Sequence, residues 1–235
     1  MIAPRPASAG DLDVRIERVV RGRGAARILY ASDLHLGWPW TRRVADSVIR
    51  AVRACAPDVL LLGGDLVDSR RALVELTRLT RVAAETTAVA AVPGNHDVAL
   101  GAALVRDAVT AGGGTWLVDR RIAVGGVVVE GSIRRRDSAA PGGEPAVRVL
   151  CAHHPHVVVA AQRAQFDIVL AGHLHGGQVV LFRRAGRLYP YAWLDRWNGP
   201  RFEVGETTML VSLGAGDMLP LRWRCPRELV LCEVS

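Results

Sequence analysis

Short apolar runs and helical stripes alternate through the first half of the chain. Residues 14–21 switch loosely between apolar and polar, which predicts an edge strand. Residues 27–31 form an apolar run ending in Ser32-Asp33, the pattern of a short buried strand. Val44, Val48, Ile49 and Val52 fall near a 3.6-residue period, so 41–55 reads as a helix. Residues 58–62 are a second buried strand, stopped by Gly63-Gly64, and 72–85 a second helix. Residues 88–92 are a third strand, stopped by Pro93-Gly94, and 98–111 a third helix, with Asp97 as its N-cap.

The pattern changes after residue 114. Short strands are predicted at 115–118, 121–124, 127–131, 147–152, 168–171, 178–182, 208–212 and 228–233, with one more helix at 156–164. A charged loop with Gly and Pro spans 134–144, and 183–206 reads as long, irregular and aromatic-bearing. With no internal repeat and no linker, this order predicts an α/β fold of two packed sheets with flanking helices.

Polar residues collect where the predicted strands end. Asp33 and His35 follow the first buried strand, Asp65 and Asp68 the second, and Asn95, His96 and Asp97 the third. His153 and His154 follow 147–152, and His173 and His175 follow 168–171. Ligands of α/β sheets bind beyond the carboxyl ends of strands, and imidazole with carboxylate oxygen is a ligand set for Zn, Mn or Fe. Asp33-x-His35 and His173-x-His175 are each expected to present both side chains on one side, because extended chain has a period of two. Asp65, just after a glycine pair, is placed to bridge two cations roughly 3.5–4 Å apart. His153 and His154 compete for one position.

These fragments resemble a known family. Asp33-Leu-His35, Gly64-Asp65-Leu-Val-Asp68, Gly94-Asn95-His96-Asp97, the His153 block and Gly172-His173-Leu-His175 occur in the order of the calcineurin-like metallophosphoesterases. The stretch from Gly172 to Gln178 and the ending from Leu213 to Leu229 resemble the YaeI/YkuE-type phosphodiesterase branch more particularly. The resemblance covers roughly residues 27–234 and implies a four-layer α/β/β/α sandwich of two mixed sheets. It implies a single such domain over 1–235, with 1–13 a flexible N-terminal segment. It also implies two divalent metal ions, Mn first, with Fe, Zn or Co compatible. Asp33, His35 and His175 would hold one ion, Asp65 would be shared, and Asn95, His153 and His173 would complete the other. The family places this ligand two residues before the proline, which selects His153 over His154. His96 would be the catalytic histidine and Asp68 the residue that orients it.

The implied activity is hydrolysis of a P–O bond in a phosphodiester or pyrophosphate, including lipid-linked or nucleotide-sugar substrates. The alternatives are a nuclease or cyclic-nucleotide phosphodiesterase on the same fold, and a non-catalytic binding scaffold.

Composition adds little specificity. The 235 residues are half hydrophobic and carry a net charge of +7, with every one of the 30 basic residues an arginine. That balance suits a solvated surface or attraction to phosphates and anionic membrane. Trp38, Trp40, Tyr189, Tyr191, Trp193 and Trp197 either pack loops onto the scaffold or form an apolar rim for a lipid-bearing substrate. Arg42, Arg43, Arg70 and Arg71 are candidates for a second phosphate. No interleaved basic and aromatic strand pattern points to nucleic acid. Four cysteines without a C-x-x-C pair read as reduced thiols. No run reaches 18 apolar residues. A cytoplasmic monomer follows, with peripheral contact at the inner face of the membrane.

Overall fold

In the computed structural model of the chain, which describes residues 8–9, 12–118, 120–132 and 147–235, successive strand residues face two different cores. The first half holds β1 (Ser8–Ala9), β2 (Leu12–Val19), β3 (Ala26–Ala31), α1 (Val44–Cys55), β4 (Val59–Gly63), α2 (Leu73–Ala84), β5 (Ala88–Val92), α3 (Asn95–Ala111) and β6 (Thr115–Trp116). The second half holds β7 (Arg121–Val124), β8 (Val127–Glu130), β9 (Val147–Cys151), α4 (Val158–Arg163) and β10 (Ile168–Ala171). It ends with β11 (Phe182–Arg184), β12 (Arg187–Tyr189), β13 (Arg201–Val204), β14 (Thr207–Val211) and β15 (Glu228–Val234).

Two mixed sheets result. One runs β1-β2-β15-β3-β4-β5-β6, the other β13-β14-β10-β9-β8-β7. Period-two alternation sends Leu29, Ala31, Leu60 and Leu62 toward α1, α2 and α3, and Ile28, Tyr30, Val59 and Leu61 toward the other sheet. Val127, Val149, Ile168 and Leu210 meet them from that sheet. Its outer face packs Leu150, Val169 and Met209 against Val158 and Ala161 of α4. The layers are therefore α/β/β/α. Tyr30 ties the sheets together near their functional edge: its hydroxyl donates to the Ala152 carbonyl at 2.7 Å.

β3, β4 and β5 are parallel neighbours, and so are β9 and β10. Their carboxyl ends carry all the polar blocks. All four cysteines are buried, and burial pushes the Cys232 thiol up to about 12.

Several expectations are corrected. Residues 178–182 do not form a strand; Val179 makes one bridge to Trp223 and β11 starts at Phe182. Residues 183–206 are largely ordered as the β11–β12 hairpin, a 3-10 turn and β13. Ala185 and Gly186, with φ of 48° and 74°, make the two-residue turn whose twist matches paired strands. The expected edge strand, β2, is flanked by β1 and β15. Of the expected flexible segment 1–13, Ser8–Ala9 and Leu12–Asp13 are paired strand, and the rest lies outside the described residues. The predicted loop 134–144 also lies outside them.

Candidate metal centre

Five loops meet beyond the ends of β3, β4, β5, β9 and β10. The loop after β3 delivers Asp33 and His35, both fully buried. They share a side, but not through extended chain: Asp33 and His35 have φ of 57° and 47°. Asp65, His173 and His175 are also left-handed, at 52°, 74° and 50°. Five non-glycine residues in this region cost about 1–2 kcal/mol each. Such strain persists only where surrounding contacts enforce it, and it concentrates at functional sites.

The first donor group is Asp33, His35 and His175, whose ligand atoms lie within 4.8 Å of one another. His35 Nε2 faces His175 Nε2 at 3.1 Å, and His175 Nε2 lies 3.5 Å from Asp33 Oδ1. The other nitrogen of His35, Nδ1, donates to Asp68 Oδ2 at 3.0 Å, which leaves Nε2 as a lone pair. Asp33 is itself fixed, accepting from Ser32 Oγ at 2.6 Å and the His173 backbone N–H at 3.1 Å.

The second group centres on His153. Its Nδ1 donates to the Gly63 carbonyl at 2.9 Å, so Nε2 is the nitrogen that would take a metal ion. That nitrogen faces Asp65 Oδ2 at 3.2 Å, Asn95 Oδ1 at 3.1 Å and His173 Nδ1 at 3.2 Å. Asp65 also groups with Asp33 and with His35, so it is within reach of both donor groups. His154 packs edge-on against His173, with ring centroids 4.0 Å apart, and offers a ring nitrogen within 4.8 Å of those of His153 and His173.

Charge follows geometry. Burial would raise the Asp65 carboxyl, but the hydrogen bond and charge of His153, with the His96 backbone N–H, hold it far below the usual range. Burial of His153 is likewise outweighed by Asp65 and Asp33, which lift the imidazole to about 9. Burial dominates at His175 and His154, each lowered to about 4. The donor set fits divalent cations: converging carboxylate oxygens, an amide oxygen and imidazole lone pairs, tautomers pinned from behind.

His96 lies at the start of α3. Its Nδ1 donates to Asp68 Oδ1 at 2.7 Å, its backbone N–H to Asp65 Oδ1 at 2.9 Å, and its Nε2 sits 4.0 Å from Asp65 Oδ2. The fold thus brings together all nine candidate residues: Asp33, His35, Asp65, Asp68, Asn95, His96, His153, His173 and His175.

Other readings change. Asp97 is not the N-cap; Gly94 is, and α3 begins at Asn95. The Asp97 carboxylate accepts from the backbone N–H groups of Gly94, Leu66 and Val67, and burial still pushes it up to about 6. Arg42, Arg43, Arg70 and Arg71 are all exposed. Trp197 is buried in the outer core and does not join a rim. Sequence reasoning missed two contacts. Trp38 Nε1 donates to Asp68 Oδ2 at 2.6 Å. Arg222 brings Nη2 to 3.4 Å from His175 Nδ1. No local signal marks either, since both link residues far apart in sequence.

A sequence profile described as calcineurin-like phosphoesterase matches residues 26–177. An uncharacterized metallophosphoesterase of Helicobacter pylori is 28% identical over 222 residues, which cover 86% of this chain and 58% of that one. The phosphodiesterase YaeI of Escherichia coli is 26% identical, covering 88% and 82%. The uncharacterized metallophosphoesterase YkuE of Bacillus subtilis is 24% identical, covering 93% and 82%. The chain spans less than two thirds of the length of the Helicobacter relative.

Proposed function

The chain belongs to the calcineurin-like phosphoesterases, and from that premise we propose that it is a phosphodiesterase or pyrophosphatase acting through a pair of divalent cations. The observation that carries this reading is the convergence of Asp65 Oδ2, Asn95 Oδ1 and His173 Nδ1 on His153 Nε2, beside a second group built on Asp33, His35 and His175. Asp33, His35 and His175 would hold one ion, Asn95, His153 and His173 the other, with Asp65 shared. When bound, the cations would supply Lewis-acid charge to neutralise phosphoryl oxygens and lower the pKa of water. Mn suits this mixed nitrogen and oxygen set, as do Fe, Zn and Co.

The chain's own residues do the rest. With Asp68 accepting from Nδ1, the doubly protonated form of His96 carries its second proton on Nε2, the atom that would hand it to the departing oxygen. The core shared by the two sheets supports treating residues 1–235 as a single domain.

Hydrolysis of bis(p-nitrophenyl) phosphate with added Mn tests the reading. His96→Ala is expected to lose about 10²–10⁴ in rate at unchanged metal content. Metal analysis of the wild type is expected to give near two ions per chain. Equal rates for the two proteins remove His96 from the mechanism, and absence of bound metal after supplementation overturns the enzyme reading.

A further inference from the structure

Beyond the metal centre the chain leaves a cluster of large apolar side chains in solvent. Leu181, Trp193, Leu194, Leu219, Leu221 and Trp223 are between 56% and 83% exposed. They come from two segments, 181–194 and 218–224, that backbone bonds join into one face. Trp223 N donates to the Gln178 carbonyl and Val180 N to the Trp223 carbonyl, both at 2.9 Å. The Arg224 guanidinium donates to the Leu181 carbonyl at 3.1 Å. In the β11–β12 hairpin, Phe182 stacks on Tyr189 at 4.8 Å, and Trp193 packs edge-on against both. Leu188 faces the other way, into a small buried cluster with Val180, Leu213 and Cys225. The hairpin is therefore seated on the body by one side and presents its aromatic side outward.

Charge says what this face meets. Segments 181–194 and 218–224 carry Arg183, Arg184, Arg187, Arg222 and Arg224 and not one carboxylate. Arg222 turns inward to Asp217 and His175; Arg183, Arg184 and Arg224 are exposed. Exposed Trp and Leu flanked by arginine, with no acidic residue, is the composition that partitions into a headgroup region bearing negative charge.

We propose that this face docks the protein on an anionic lipid bilayer. The hairpin and the 218–224 turn enter the headgroup layer, with the arginines on lipid phosphates. The geometry also aims the metal centre. Arg222, between exposed Leu221 and Trp223, reaches His175, and the carbonyl of Asp217, next to Met218, accepts from Trp40, which stacks on Trp38. Docking thus brings the centre to the membrane surface, where a phosphoester in a lipid headgroup is the substrate class within reach. That last step rests on the proposed phosphodiesterase reading; the docking itself does not.

Sedimentation with vesicles of phosphatidylcholine alone, and of phosphatidylcholine mixed with phosphatidylglycerol, tests it. The full chain is expected to pellet with the anionic vesicles, less so at high salt, and weakly with the neutral ones. The triple variant Leu219→Ser, Leu221→Ser, Trp223→Ser is expected to lose at least about tenfold in partitioning, and Arg183→Gln with Arg184→Gln to lose the preference for phosphatidylglycerol. Both are expected to keep wild-type turnover of soluble bis(p-nitrophenyl) phosphate, which shows that they fold. The proposal is overturned if the wild type stays in the supernatant with anionic vesicles, or if the triple variant pellets as the wild type does. It is also overturned if light scattering shows a dimer that the triple variant dissociates, since the face then belongs to a second copy. His96→Ala separates the two readings: normal docking with unchanged hydrolysis removes the catalytic assignment and leaves the membrane face standing.

Discussion

Asp68 accepts from three donors: His35 Nδ1, His96 Nδ1 and the Trp38 indole. Burial would raise its carboxyl, yet His35, Trp38 and His96 hold it below the usual range. One carboxylate therefore fixes the tautomer of a candidate ligand and of the candidate proton donor. Two variants separate these duties. Trp38→Phe removes one hydrogen bond to a charged group, about 1.5–3 kcal/mol, so hydrolysis is expected to fall about 10- to 100-fold with bound metal unchanged. Asp68→Asn frees both imidazoles, so metal content and rate are expected to fall together. Metal analysis beside the rate assay checks this; metal loss in Trp38→Phe alone would show that the indole supports His35 rather than His96. The identities of the candidate residues were legible because Asp, Asn and His recur after apolar runs. The Trp38 contact was not, because an indole three residues past a motif carries no sign of where its N–H goes.

The loops between elements hold tolerances that sequence pattern does not express. Period-two extension was expected to align Asp33 with His35, whereas left-handed backbone at both positions does it. The strand pattern simply stops at Ala31, and nothing in the composition of the next residues signals a positive φ. Glycine positions are more legible. Gly94 has φ −101°, open to any residue, so its need is steric: a Cβ there would lie 2.1 Å from Asp65 Oδ1 and 2.3 Å from Asp65 N. The loops after β4 and β5 touch at this point, and Asp97 pins the same two loops through backbone amides. Gly94→Ala is expected to destabilise the fold by about 1–3 kcal/mol and to lower metal content by pushing Asp65 aside. Urea unfolding with metal analysis reads both; an unchanged midpoint and full metal content would mean that the loops separate freely.

At the scale of the whole molecule, the two sheets are joined by residues 212–227, which cross from the end of β14 to the start of β15. Two packed sheets with flanking helices were legible from the order of strands and helices, and the four-layer arrangement from the family resemblance. The crossing was not, because it depends on ion pairs between residues with no periodic relation. Asp217, buried, binds Arg222 and Arg227. Burial would raise its carboxyl, but the two guanidiniums pull it below the ordinary 3.8. A depressed folded-state value means that this stabilisation is fully present above 3.8 and is lost as the pH falls through the lower folded value. Asp217→Asn cannot titrate, and breaking a buried pair costs about 3–5 kcal/mol. The stability difference between wild type and variant is therefore expected to be largest near neutral pH and to shrink steadily below 3.8. Urea unfolding of both proteins after metal removal, from neutral to acid, measures it. Groups that do not feel Arg222 or Arg227 titrate alike in the two chains and cancel in the difference. A gap that stays constant into acid would assign the strength of the crossing to packing of its leucines rather than to Asp217.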